Sequence, residues 1–137
     1  MEIKMLAPHG NTKYYRQIQD SVKETYYLKR EDIYQDYINW NIYGMFDGDT
    51  LLCSCVIEEH NELVFMKRFV MVGEYGKGYF KQMVELILET QPHICLTIEP
   101  TNHKVAKMLN ELGFVNTGEV IDKTGKYTYE LYQGGRA

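Results

Sequence analysis

Residues 70–89 read VMVGEYGKGYFKQMVELILE, and the rest of the chain is arranged around this stretch. It predicts an apolar strand, a turn that contains Gly76 and Gly78, and an amphipathic helix. Glycine adopts positive φ angles and lets a ligand approach the backbone closely. The first N–H groups of the helix and the positive end of its dipole would face the turn. With the charge of Lys77, the pattern indicates a phosphate or diphosphate site, although an ordinary turn fits the two glycines as well.

The composition is that of a globular protein. The chain has 137 residues, of which 45% are hydrophobic and 25% charged, and we expect residues 1–137 to form a single domain. The formal net charge of −4 disfavours nucleic acid as a partner. No apolar run reaches the ~18 residues that a membrane-spanning helix needs.

The cysteines and the N-terminal stretch indicate a cytoplasmic location. Cys53, Cys55 and Cys95 give an odd count without CxxC spacing, so we expect reduced thiols and no metal site. The stretch MEIKMLAPHG lacks the apolar core of a signal peptide.

Upstream of the quoted stretch, the periodicity predicts a strand, two helices and three antiparallel strands. Asp47-Gly48 is a hairpin signal between the first two of these three strands, and residues 58–62 are expected to form the next turn. The expected strands cover residues 2–7, 41–46, 50–57 and 63–72, and the expected helices cover residues 12–24 and 28–39.

Downstream, the pattern predicts a helix, a strand, a second helix and a closing hairpin. The expected bounds are 78–90, 93–99, 102–113, 115–122 and 127–132. The complete order describes a mixed α/β (α+β) fold with a largely antiparallel sheet.

Two motifs in register resemble those of the GNAT superfamily of acyl-CoA-dependent N-acetyltransferases. Glu74-Tyr75-Gly76-Lys77-Gly78-Tyr79-Phe80 is similar to the family's diphosphate loop, usually Gln/Arg-x-x-Gly-x-Gly/Ala. Residues 102–114, NHKVAKMLNELGF, are similar to the family's Asn-x-x-Ala-x-x-Leu-Tyr-x-x-x-Gly-Phe segment. The separation of the motifs and the element order match over nearly the whole chain. The resemblance implies one GNAT-like domain whose central sheet is splayed into a V and flanked by about four helices.

Three positions depart from the family pattern. Tyr75 stands where the loop usually has Gln or Arg, and Phe80 replaces the last small residue of the loop and would crowd the start of the helix. Leu109 stands where many members have a tyrosine that protonates the departing thiolate, so a general acid would have to come from elsewhere.

The resemblance implies acetyl-CoA as the acetyl donor and CoA as a product. The pantetheine arm would lie between strands 63–72 and 93–99 and pair with the backbone of one of them, almost like an added strand. A backbone N–H near Val70 would polarise the thioester carbonyl. The implied cofactor-binding residues are Val70, Met71, Val72, Tyr75, Gly76, Lys77, Gly78, Tyr79, Phe80 and Asn102.

In the implied reaction a neutral amine attacks the thioester directly, and a base takes the proton of the amine. Glu99 is the first candidate for this base, His103 and Glu62 are weaker ones, and a water-mediated base is the alternative. Tyr129, or Tyr127 on the same strand, is the candidate to replace the missing acid.

The acceptor wall and the cations of strand 63–72 are open to two interpretations each. Tyr26, Tyr27 and Tyr34 fit an aromatic wall that receives an amine, or they pack on the sheet. Lys67 and Arg68 stand where family members often carry a glutamate, and they either edge the sheet or bind an acidic acceptor or the 3′-phosphate of the cofactor.

Three functions fit these residues. The first is an N-acetyltransferase that acts on a primary amine of a small molecule or of a protein. The second is a catalytically degenerate regulator that binds CoA or a partner, which Leu109 favours and the intact Gly76-x-Gly78 opposes. The third acetylates aminoacyl-tRNA, which the negative charge disfavours. Members of this fold often form dimers through sheet edges, so the resemblance also implies a possible homodimer.

Overall fold

Strands and helices alternate in the predicted order in the computed structural model, which describes residues 1–10, 12–24, 28–98, 100–122 and 128–135. In this part of the chain the helices are α1 (Thr12–Ser21), α2 (Arg30–Ile38), α3 (Tyr79–Thr90) and α4 (His103–Glu111). The strands are β1 (Glu2–Met5), β2 (Ile42–Asp47), β3 (Thr50–His60), β4 (Leu63–Met71), β5 (His93–Ile98), β6 (Val115–Asp122) and β7 (Thr128–Gly135). The predicted mixed α/β fold with four helices is confirmed.

The β3–β4 hairpin is longer than the sequence indicated. The prediction that residues 58–62 form the turn was wrong for residues 58–60, because β3 continues to His60, which pairs with Leu63. The turn is only Asn61 and Glu62, with φ angles of 50° and 66°. Two consecutive positive φ angles are the geometry of the tight turns that join twisted antiparallel strands.

The described strands form one seven-stranded sheet in the order β1-β2-β3-β4-β5-β7-β6. Neighbouring strands are antiparallel except β4 and β5, which are parallel. Within the described residues the β4–β5 register contains one pair, Phe65 with Cys95. The two strands therefore meet near their starts and part toward Met71 and Ile98, as expected for a V.

Two apolar layers cover the sheet. Ile18 of α1 and Ile33 of α2 pack with Val70 of β4 in one cluster. Met83 of α3 and Leu109 of α4 belong to the other cluster. The sheet is thus sandwiched between the α1/α2 pair and the α3/α4 pair, and the parting of β4 and β5 opens between these layers.

The three cysteines are free and buried, in line with the expected reduced thiols. Burial raises the pKa of the Cys53 thiol to about 12 and also raises that of Cys95. Among the described residues, no helix has the length and apolar character needed to cross a bilayer.

Phe114, directly before β6, packs its ring against the backbone of β7 at Gly134. Phe114 is 3% exposed, and Gly134 is paired with Ile94 of β5. A Cβ atom at position 134 would lie 2.6 Å from the Phe114 ring. The absence of a side chain at Gly134 is therefore required for the α4–β6 connection to close on the sheet.

We expect Gly134→Ala to lower the free energy of unfolding by about 1–3 kcal/mol, because overpacking a closed core forces neighbouring side chains to shift. Gly10→Ala is the matched control, since the nearest atom to its new Cβ would be 3.6 Å away. Urea unfolding measures both variants, and equal midpoints would contradict the packing described for Phe114.

Candidate functional site

The main-chain groups of Met71 face the gap between β4 and β5. Ser54 of β3 pairs with Val70, and the Val72 N–H donates to the carbonyl oxygen of Leu52 at 3.1 Å. In an antiparallel pair, successive residues turn their peptide groups alternately toward and away from the partner strand. The peptide groups of Val70 and Val72 therefore face β3. Of the three residues predicted to bind the cofactor through the main chain, Met71 is the one whose peptide groups face the gap.

A β-bulge in β4 produces this orientation. Val56 pairs with Lys67, whereas Ser54 pairs with Val70, so two steps along β3 oppose three steps along β4. Arg68 is one of the two β4 residues that stand opposite the single β3 residue between these pairs, and it has a φ of 48°. A bulge inserts one unpaired residue, bends its strand and increases the local twist, which suits a strand that leaves its neighbour.

The bulge also reverses the side-chain alternation of β4. Met66 belongs to the cluster beneath α3 and α4, whereas Val70 belongs to the cluster beneath α1 and α2. In a regular strand, residues four apart lie on the same face of the sheet. Both the pairing and the packing therefore change phase between Met66 and Val70.

A charged pair holds the bulge to α2. The Arg68 Nε–H donates to Asp36 Oδ2 and its Nη2–H donates to Asp36 Oδ1, both at 2.6 Å. Asp36 is 5% exposed. Burial alone would lower the pKa of the Arg68 guanidinium, but the hydrogen bonds and charge of Asp36 raise it overall. A bidentate fork of this kind fixes direction as well as charge.

The neighbouring cation is also paired with a carboxylate of the protein. Lys67 Nζ lies 2.7 Å from Glu58 Oε2, and this hydrogen bond lowers the pKa of Glu58. Both cations of β4 are therefore bonded to side chains of this chain, Lys67 to Glu58 and Arg68 to Asp36. Of the two interpretations left open, the geometry favours a structural role over binding of an acidic acceptor or of a 3′-phosphate.

The predicted glycine loop leads directly into α3. Gly76 and Gly78 have φ angles of 82° and 73°, and Gly78 is the N-cap residue. A Cβ atom at either position would meet nothing within 4 Å. The N–H groups of Tyr79, Phe80 and Lys81 open the helix and have no partner within it. Open space over the glycines and main-chain donors beside it fit an anionic group of diphosphate size.

Two lysines lie at the loop, Lys23 from outside it and Lys77 within it, and Lys77 is paired with the loop carboxylate Glu74. Tyr75 is 67% exposed, and Lys23 Nζ lies 5.3 Å from its ring centroid. Lys77 Nζ lies 3.6 Å from Glu74 Oε2. That pair is largely exposed, and such pairs contribute little to stability, so Lys77 can exchange its partner for a ligand at low cost.

The Phe80 side chain packs against the sheet and does not crowd the start of α3. Its ring packs edge-on against Phe69 of β4, with ring centroids 4.8 Å apart. The departure from a small residue is therefore used to join α3 to the sheet, and the expected crowding is resolved by this packing.

The second motif contributes a cap and a core residue. Asn102 is the N-cap of α4, and its Oδ1 accepts a hydrogen bond from the Val105 N–H at 3.3 Å. Its amide NH₂ is thus the group with which Asn102 would reach a ligand. Leu109 is completely buried, so position 109 serves the core here. His103, the first residue of α4, is exposed.

Several predicted residues are not placed by the structure. Glu99, Tyr26, Tyr27 and Tyr127 lie outside the described residues, as does the side chain of Tyr129, whose backbone belongs to β7. Tyr34 is on α2 and is 48% exposed, and its role as an acceptor contact remains a prediction.

Glu62 lies far from the gap, and its role as a base stays a prediction. It lies in the turn directly before β4, at the end where Phe65 pairs with Cys95. The gap opens at the other end of β4, which has nine residues and therefore a length of about 30 Å. Sequence reasoning also missed Asp36, because its pairing with Arg68 has no signal in the spacing of the two residues.

The fold is that of known acetyltransferases, although the sequence alone finds no relative. Neither a scan against protein-family models nor a search of curated proteins gives a match. A GNAT-family acetyltransferase from Streptococcus agalactiae superposes with a TM-score of 0.76 at 15% identity, over 99% of this chain and 95% of that one. An aminoglycoside 6′-acetyltransferase type Ii gives 0.73 at 13% identity, over 98% and 97%. The NatC complex bound to Gag peptide and CoA gives 0.66 at 17% identity, over 100% of both chains.

We expect Glu58→Gln to destabilise the protein at neutral pH by less than ~1 kcal/mol, because the pair with Lys67 is partly exposed. A lowered pKa in the folded state means that the ion pair stabilises the fold above the ordinary carboxyl value of 4.5 and ceases to do so as the pH falls through the folded value. Urea unfolding of wild type and variant from pH 7 to pH 3 should show the difference shrinking. The exposed neighbour Glu59→Gln is the control, and a difference independent of pH would contradict this pairing.

Proposed function

We propose that this chain, which has the fold of the GNAT acetyltransferases, is a member of that family and an N-acetyltransferase that moves an acetyl group from acetyl-CoA to a primary amine. One observation carries the proposal: β4 and β5 part beside a glycine loop that opens α3. This places a strand-like slot next to a main-chain anion site, and CoA combines an amide-bearing arm with a diphosphate.

The residues around the gap match the two parts of CoA. The main-chain groups of Met71 would pair with the amides of the pantetheine arm, in the manner of an added strand, while Val70 and Val72 hold Met71 in place. The N–H groups of residues 76–80 would bind the diphosphate, flanked by Tyr75 and Lys77. The Asn102 amide would reach the thioester end. A neighbour of the same fold, the NatC complex, binds CoA.

The proposed reaction is a direct attack in a ternary complex. The neutral amine attacks the thioester carbonyl, a C–N bond forms, the C–S bond breaks and the CoA thiolate departs. The Met71 N–H would stabilise the carbonyl oxygen as its charge develops, and the Met71 carbonyl oxygen would then be the group that accepts from an amide N–H of the pantetheine arm. We propose Glu99, directly or through water, as acceptor of the proton of the amine, and Tyr129 as donor to the thiolate.

The acceptor is proposed to be a primary amine of a small molecule or of a protein. Solved neighbours include an aminoglycoside acetyltransferase and a complex with a peptide, so this fold serves both classes. Tyr26, Tyr27 and Tyr34 are the residues proposed for the wall that receives it, since aromatic faces attract amine cations.

We also propose a cytoplasmic location and a homodimer. The three free cysteines support a cytoplasmic location. A homodimer is proposed through a sheet edge, and the described edge strand β6 exposes Val115 and Val120.

The binding-only regulator is the second candidate. The burial of Leu109 favours it, because this position supplies no acid and its side chain is committed to the core. Such a protein would bind CoA in the same place and release no thiol.

Calorimetry with acetyl-CoA, followed by a thiol-release assay with a panel of amines, tests both candidates. The transferase predicts micromolar-range binding, typical of enzyme–substrate pairs, and amine-dependent appearance of free CoA. Binding without turnover on small amines and on peptide N-termini would favour the regulator. Absence of binding would refute both.

We expect Gly78→Val to abolish acetyl-CoA binding. A β-branched residue resists the left-handed conformation, and its Cβ would enter the open space proposed for the diphosphate. Gly48→Val is the matched control, because Gly48 has a φ of 61° and equally open surroundings but lies in the β2–β3 turn. Calorimetry compares the two, with thermal unfolding as a check on folding. Equal affinities in both variants would refute the placement of the anion site.

A further inference from the structure

We infer that the Asp36–Arg68 pair is a positioning device that sets the phase of β4 and thereby aims the Met71 main chain at the arm of the cofactor. The inference rests on the proposed function, since it assigns a role within the same gap. It concerns residues on the opposite face of the sheet from the glycine loop motif, and neither residue needs to touch a ligand.

The backbone of Arg68 has an unusual conformation. Its φ of 48° lies in the left-handed region, which a long side chain adopts only when its surroundings impose it. The surroundings here are the two hydrogen bonds from the guanidinium to Asp36. Glycine would reach the same conformation unaided, so the fork with Asp36 substitutes for an intrinsic preference.

Asp36, the partner of Arg68, is held rigidly in α2. Asp36 belongs to α2 between Ile33 and Tyr37, which are both buried. Its carbonyl oxygen accepts the Asn41 N–H at 3.0 Å, at the connection from α2 to β2. The carboxylate therefore occupies a position fixed by the core beneath α1 and α2, and it transmits that position to β4.

The bulge at Arg68 determines which main-chain groups of β4 face the gap. Without the extra residue, the pairing of Val56 with Lys67 would continue in phase, and Met71 would turn its peptide groups to β3. Val70 and Val72 would then face the gap, and the Val70 side chain would leave its cluster. The arm of the cofactor would meet main-chain groups displaced by one residue, while the loop of Gly76 and Gly78 would keep its own geometry.

This difference between the two ends of the cofactor gives the test. Asp36→Asn, which removes the charge and one strong acceptor, is compared with wild type for binding of CoA and of adenosine 3′-phosphate 5′-diphosphate, which carries the phosphates without the arm. We expect CoA affinity to fall about tenfold, the loss caused by misaligning one or two main-chain hydrogen bonds, and the affinity for the arm-less analogue to stay unchanged. Arg68→Lys, which keeps the charge but loses the fork, should behave in the same way.

Rescue by glycine separates this role from a general loss of stability. In the double variant Asp36→Asn/Arg68→Gly, position 68 adopts the left-handed conformation without the fork, so CoA affinity should return toward wild type. Glu58→Gln is the matched control, because it breaks the ion pair between β3 and Lys67, the residue before Arg68, and both ligands should bind it normally.

Each result decides the matter. Equal losses for CoA and for the analogue, or no loss for either, would overturn the positioning role. A selective loss without rescue by glycine would also overturn it, because the Arg68 side chain itself would then be the requirement. Failure of wild type to bind CoA at all would instead refute the proposed function, and this inference with it.

Discussion

The left-handed backbone at Arg68 is the constraint on which the geometry of the gap depends. The Arg68 side chain bonds to Asp36, 32 positions earlier in the chain, and this contact links α2 to the strand that borders the opening. A bulge shifts everything beyond it by one residue, so the peptide groups after position 68 face a different neighbour from those before it. The direction of the Met71 main chain is therefore decided by a contact on the other side of the sheet, in a part of the core that contributes no residue to the glycine loop.

The candidate site is built mainly from backbone, so its geometry depends little on the identity of the surrounding side chains. Solved structures that share the fold are only 13% to 17% identical to this chain in the three comparisons given above. Peptide N–H groups at Gly76 and Gly78 do not depend on whether Tyr75 replaces a polar residue or Phe80 a small one. Phe80 is instead reused as a packing residue against Phe69. A site of this kind persists while its turns, its bulge and its helix start persist.

The parts of the fold that were predictable from the sequence are those that periodicity encodes. The amphipathic pattern of α3, the cap at Asn102 and the Asp47-Gly48 hairpin all have local signals, and the structure contains each of them. The bulge has none, because residues 63–72 read as one continuous strand and a single extra residue leaves no mark on composition. For the same reason Lys67 and Arg68 appeared as two available cations, although each is bound to a carboxylate from another element. A sequence also does not show which end of a strand faces an opening, and Glu62 precedes the end of β4 that pairs with β5.

For the proposed reaction, the absence of a tyrosine at position 109 weighs less than the burial of Leu109 first suggests. A thiol has an ordinary pKa of about 8.5, so a departing thiolate is a tolerable product near neutral pH, whereas an alkylamine with a pKa of about 10.4 is almost entirely protonated there. Deprotonating the amine is therefore the more demanding of the two proton transfers, and a site that lacks the acid retains most of its driving force. What the chain cannot dispense with is a surface that favours the neutral amine close to the Met71 N–H. The bulge held by Asp36 determines the direction of that Met71 N–H.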